Sequence, residues 1–154
     1  MKNGHGLGLP RLLAEGDDLV VRLPWWQKAA ARHGDVRVPL AAVRRVVIEH
    51  DWWRALRGVA RRGVWIPGGL YVGIRRLPRQ TDFVAFRPGG PVVCLEAGPD
   101  SPYRLLSVSV AEPESVARWL RARAPDLDPR GTGRYEHGQP TGWPPEHLAL
   151  WPAP

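Results

Sequence analysis

The chain has a single cysteine, Cys94, among its 154 residues. One thiol per chain rules out an internal disulfide framework and a cysteine-based zinc site. Its setting, Val92-Val93-Cys94-Leu95, reads as a small buried hydrophobe. Long apolar runs are also missing. The longest uncharged stretch, Gly63 to Ile74, is interrupted by Pro67, Gly68 and Gly69, and a spanning helix needs about 18 consecutive apolar residues or more. Met1-Lys2-Asn3-Gly4-His5-Gly6 lacks the apolar core of a secretory signal. The expected location is the cytoplasm, with peripheral association at the inner face of the cell membrane as an option. Lysine occurs only at positions 2 and 28, and the other 20 basic residues are arginine.

What is present is positive charge, unevenly placed. The formal charge is +7. Residues 1–124 hold 20 basic and 11 acidic side chains, a balance of +9, and residues 125–154 hold 2 and 4, a balance of −2. A basic body suits anionic partners such as lipid headgroups, nucleic acid or acidic proteins. Abundant Arg, Ala, Gly and Pro is also what a GC-rich genome yields without selection for binding, so both origins of the charge stay open.

With 44% hydrophobic residues a core is available, and the patterning sets its type. Strands are expected at Leu19–Leu23, Val36–Val38, Val43–His50, Leu70–Arg76, Thr81–Phe86, Pro91–Glu96 and Tyr103–Val110. Within the last, Leu106, Val108 and Val110 point inward, and Ser107 and Ser109 outward. One helix follows, Glu112 to Ala124. Pro113 suits its first turn, and Val116, Trp119 and Leu120 form an apolar face. Residues 1–17 read as a flexible arm and 18–124 as the domain. Residues 125–154, with 7 prolines in 30, read as a mostly disordered tail. In that tail Trp143, Leu148, Leu150 and Trp151 are candidate docking anchors. The connection Asp51 to Gly69 is long enough to be functional or mobile. One helix after many strands indicates a mainly β domain, a barrel or sandwich plugged at one end.

Those elements resemble the pleckstrin-homology superfold. The resemblance covers roughly residues 18–124. It rests on the element order, on Trp119 at the place of the tryptophan in the closing helix, and on Gly68-Gly69-Leu70-Tyr71-Val72-Gly73 and Ser107 to Pro113. It is nearest to bacterial, actinobacterial-type members. It implies a seven-stranded barrel of two nearly orthogonal antiparallel sheets, capped by the C-terminal helix. In many eukaryotic members, basic residues of the first hairpin bind phosphoinositides. The matching positions are Lys28, Arg32 and Arg37, which depart from the tighter lysine and Arg-x-Arg pattern of those binders. Bacterial members are similar to protein-docking or oligomerising modules, and a homo-oligomer is among the implied assemblies.

The sharpest local cluster is Trp52, Trp53, Arg54, Leu56, Arg57, Arg61 and Arg62. Read as a helix, Trp53 and Arg57 stand four apart on one stripe. Indole with guanidinium suits an anionic interface. The competing reading has the tryptophans closing one end of the barrel and the arginines solvated. Trp25-Trp26 with Lys28 and Arg32 is a weaker copy, and the two loops would build one face if they shared a rim. Nucleic-acid binding is the rival use of the charge, but the strand aromatics Tyr71, Phe83, Phe86 and Tyr103 form no recognition motif. Catalysis has little support. His50-Asp51 has no placed nucleophile, and Asp82, Glu96 and Asp100 read as solvated groups near turns. The five histidines show no metal-ligand spacing, and no cofactor or metal is implied. The expectation is therefore a non-enzymatic adaptor that binds a protein or an anionic membrane surface.

Overall fold

The computed structural model of the chain describes residues 8–66 and 69–127. Three strands, β1 (Arg11–Glu15), β2 (Asp18–Arg22) and β3 (Val36–Pro39), form a small sheet in the order β1-β2-β3. Six more form a larger sheet: β4 (Val43–Glu49), β5 (Val59–Ile66), β6 (Leu70–Leu77), β7 (Gln80–Phe86), β8 (Val92–Ala97) and β9 (Leu105–Val108). Their order is β4-β8-β9-β7-β6-β5. Every pairing is antiparallel except that of β7 with β9, which is parallel. Two helices complete the fold, α1 (Trp25–Ala31) and α2 (Pro113–Arg123). The protein is thus mainly β with one main helix, α2, at its end. Its nine strands lie in two sheets that do not close into a barrel, where the sequence suggested seven strands in a closed one.

The seven expected strands and the closing helix all form, and two strands, one α-helix and two 3₁₀ turns come in addition. Strand β1 lies inside the stretch read as a flexible arm. It pairs with β2 through a turn at Gly16, whose φ of 62° suits glycine, and Leu12 and Ala14 pack on the core. Helix α1 fills the loop after Pro24, with Ala29, Ala30 and Ala31 as good helix formers. Strand β5 occupies the end of the long connection. Most of it is exposed, so it lacks the apolar alternation that marks a half-buried strand. The proposed tail and its anchors lie outside the described residues from 128 onward. Before that, Leu127 packs on the core.

Both faces of the large sheet are buried. Alternate residues divide between two clusters: Val72, Phe83, Val93 and Leu106 on one side, and Tyr71, Val84, Cys94 and Leu105 on the other. The first face packs against the small sheet, α1 and α2. The second is covered by the 3₁₀ turn Trp52–Ala55 and by Leu56. This corrects the expectation for Ser107 and Ser109, which are buried rather than outward. The hydroxyl of Ser107 donates to the carbonyl of Ala55 at 3.0 Å and anchors the covering turn. Trp119 is half-buried against the first cluster, where Ala117 and Leu120 are the most deeply inserted residues of α2.

The β5–β6 hairpin has a local constraint. Gly63 and Gly73 face each other across it with φ of 141° and 151°. A Cβ at Gly73 would stand 2.0 Å from the carbonyl oxygen of Arg62, and one at Gly63 would stand 2.1 Å from that of Val72. Only a pair of glycines permits this approach. Gly73→Ala is expected to destabilise the fold by about 2 kcal/mol or more, read as a lower midpoint in denaturant. On the other side of the sheet, Gln27 of α1 is fully buried, and neither of its amide atoms has a hydrogen-bond partner. Gln27→Met is expected to raise stability by about 1 kcal/mol, because it removes an unpaired polar group at similar volume. A fall in melting temperature would show instead that the amide is satisfied in solution.

Candidate interaction surface

The structure sorts the candidate residues by what they already touch. The long connection that carries the tryptophans and arginines does not form an amphipathic helix. It makes one 3₁₀ turn and then crosses the sheet. Trp52 packs on Tyr71 and Phe86, with ring centroids 5.8 and 6.2 Å away. Trp53 stands edge-on to Trp52 and is 39% exposed. Arg54 reaches back to Asp51 at 3.6 Å.

Arg57 turns inward. Its Nε and Nη2 donate to the two carboxylate oxygens of Asp82, both at 2.7 Å. Asp82 was expected to be solvated. Its side chain is 1% exposed, and it sits on β7 in the middle of the sheet. Its register partner on β6 is Arg75. The guanidinium of Arg75 donates to the carbonyls of Arg57 and Gly58 at 2.8 and 2.7 Å and lies 5.2 Å from the ring centroid of Trp65. Burial pushes the Arg75 guanidinium down to about 10 against the pull of Asp82, which leaves it charged at neutral pH. Burial also holds the Asp82 carboxyl above its ordinary value, while the Arg57 guanidinium works the other way. Glu96, also expected to be solvated, pairs with Arg45 at 3.3 Å.

The residues aligned with a phosphoinositide-type site are spread over the small sheet and α1, among carboxylates. Lys28 pairs with Asp35 at 3.1 Å. Arg37 bonds to Glu15 and lies 3.6 Å from Asp18. Arg32 is exposed and ends α1 in a left-handed conformation, φ 51°. The two tryptophan pairs do not share a rim. Trp26 packs with the first cluster and Trp52 with the second, on opposite faces of the large sheet.

Arg61 and Arg62 lie on β5, and both are exposed. The register shifts between Ala60 and Arg62, a bulge that re-aims the side chains there. Around them charge is one-sided. Residues 52–81 contain seven arginines and no aspartate or glutamate. Arg57 and Arg75 are taken up by the buried cluster and Arg54 by Asp51. Arg61, Arg62, Arg76 and Arg79 are exposed, with no ion pair among the described residues. Arg76 and Arg79 were not singled out from the sequence. The signal that finds them is the 30-residue stretch without a carboxylate, not any motif.

Among the described residues chemistry-bearing groups are not gathered elsewhere. Cys94 is buried, and burial pushes its thiol up to about 12, where it is a poor nucleophile. No group of three or more His, Cys, Asp or Glu residues is poised for a metal among the described residues. No helix among them is long and apolar enough to cross a membrane. No protein-family model matches the chain, and no curated protein or solved structure is significantly similar to it.

Removing one member of the buried pair is the test of its structural role. Asp82→Asn is expected to cost about 3 kcal/mol, because it leaves guanidinium charge in the sheet without its counter-ion. The double variant Arg57→Met/Asp82→Leu is expected to lose less than the sum of the single variants in a denaturation cycle.

Proposed function

We propose that the chain is a non-enzymatic interaction module that docks an anionic protein surface through the arginine-bearing β5–β6–β7 region. One observation carries this. Arg22, Lys28, Arg37 and Arg54 are met by carboxylates of the chain itself, whereas Arg61, Arg62, Arg76 and Arg79 are exposed in a 30-residue stretch that has none. An unbalanced basic patch raises the local concentration of anionic partners and speeds their association.

The pleckstrin-homology-like resemblance is part of the same proposal. Two sheets over a shared core, closed after the last strand by a helix with Trp119 against that core, support it. The parallel β7–β9 pair and the open sheets mark where this chain departs from that pattern. A protein partner is favoured over a membrane or nucleic acid by the placement of aromatics. Trp52 and Trp65 are taken into the second cluster, and the exposed tryptophans of the described residues, Trp25 and Trp53, lie on α1 and the 3₁₀ turn rather than on β5, β6 or β7 in a row with the four arginines.

The test titrates labelled poly-glutamate, phosphatidylglycerol vesicles, neutral vesicles and a random single-stranded oligonucleotide across a salt series. The expected outcome is binding of poly-glutamate that weakens with salt and falls by about tenfold or more in Arg61→Glu/Arg62→Glu, with the melting temperature unchanged. Tighter binding to vesicles or oligonucleotide, or no binding to any probe, overturns the proposal.

A further inference from the structure

We propose that the outer edge of β5 accepts an extended, acidic segment of a partner protein as an added strand of the large sheet. This rests on the proposed interaction module and names how its partner is held. The two edges of the six-stranded sheet are treated differently. The β4 edge is packed against α2, and Arg121 of that helix donates to the carbonyl of Val46 on β4 at 3.1 Å. Helix α1 lies against β5, but among the described residues no side chain is bonded to the backbone of that strand as Arg121 is to β4. β5 pairs with β6 alone, and among the described residues no other strand or side chain bonds to its backbone.

At eight residues β5 is about 26 Å long, and half of its backbone donors and acceptors point away from β6. That is a template for strand addition, in which main-chain bonds give affinity and side chains give selectivity. The side chains supply the selectivity. Among the described residues four large apolar side chains are exposed, and two of them, Val59 at 58% and Ile66 at 51%, lie at the two ends of β5. Between them stand Arg61 and Arg62. An added strand that alternates acidic and apolar residues meets both.

Charge also selects among occupants. A second copy of β5 laid antiparallel would bring Arg61 and Arg62 near their own counterparts, and like charges facing across strands destabilise a pair. Residues 128–154 of this chain contain six prolines, each without the N–H a ladder needs. A carboxylate-bearing strand from another protein has neither handicap.

The experiment uses the full chain and a fluorescent ten-residue peptide of alternating Glu and Val, with three companions: the Lys/Val version, the Glu/Val version N-methylated at alternate residues, and poly-glutamate. Binding is read by anisotropy, and backbone engagement by hydrogen exchange of the β5 amides. The expected result is binding of the Glu/Val peptide with slower exchange along β5. Affinity falls by about tenfold or more on N-methylation and in Arg61→Glu/Arg62→Glu, and the Lys/Val peptide does not bind. Equal binding of the N-methylated peptide and poly-glutamate, with β5 exchange unchanged, overturns strand addition while leaving anionic docking intact. Loss of all anionic binding overturns both. Concentration-dependent self-association abolished by the double arginine variant assigns the edge to a second copy and overturns the acidic partner.

Discussion

The bidentate bond from Arg57 to Asp82 fixes the path of the longest connection in the chain. Asp82 lies on β7, an interior strand, and Arg57 leaves the covering turn just before β5 begins. Arg75 then holds the carbonyls of Arg57 and Gly58. These bonds pin the chain over the second face of the sheet and deliver it to the sheet's edge. A buried ion pair is weak evidence of net stability, because desolvation offsets much of the Coulomb attraction. What it supplies here is placement. A slipped register would separate the guanidinium of Arg57 from its carboxylate, and the covering turn would lose Ser107 as its anchor.

That placement explains why the tryptophans and arginines of one short sequence cluster do different work. Trp52 and Arg57 are drawn inward because the second face of the sheet, lined by Tyr71, Val84 and Phe86, has no other layer to cover it. Trp53 and Arg54 remain outside because a 3₁₀ turn presents successive residues in different directions. Beyond Gly58 the strand runs along the edge, and Arg61 and Arg62 have solvent on their free side. Composition alone suggests one Arg/Trp patch. Packing divides it into a structural half and an exposed half.

Much of the fold was legible because burial on one side leaves a period of two. β6, β7, β8 and α2 announced themselves through alternation or helical spacing, with Pro-Gly turns or Pro113 as punctuation. Ser107 was misread because alternation does not say whether the second face meets water or a covering turn. β5 was hidden because an edge strand with most of its residues exposed has no apolar period; Val64, Trp65 and Ile66 before Pro67-Gly68-Gly69 were its only local signal. Asp82 was misread for a related reason. A carboxylate at the start of a strand looks solvated until a guanidinium 25 residues away reaches it. The exposed arginines Arg76 and Arg79 needed no structure to be noticed, only a count of where carboxylates are missing.

The same ion pairs make the surface charge asymmetric. Several acidic side chains neutralise cations at home: Glu15 and Asp18 beside Arg37, Asp35 beside Lys28, and Asp51 beside Arg54. Asp82, the first carboxylate after the long basic stretch, is spent inside the sheet. The stretch from 52 to 81 is left with seven arginines and no carboxylate of its own. Here an open strand edge, two of the four exposed large apolar side chains among the described residues and the carboxylate-free stretch coincide on β5 and β6. Edge strands that only need protection from aggregation are served by charge alone. Exposed Val59 and Ile66 work against that purpose, and their position on either side of Arg61 and Arg62 is what gives the edge the character of a surface built to be covered.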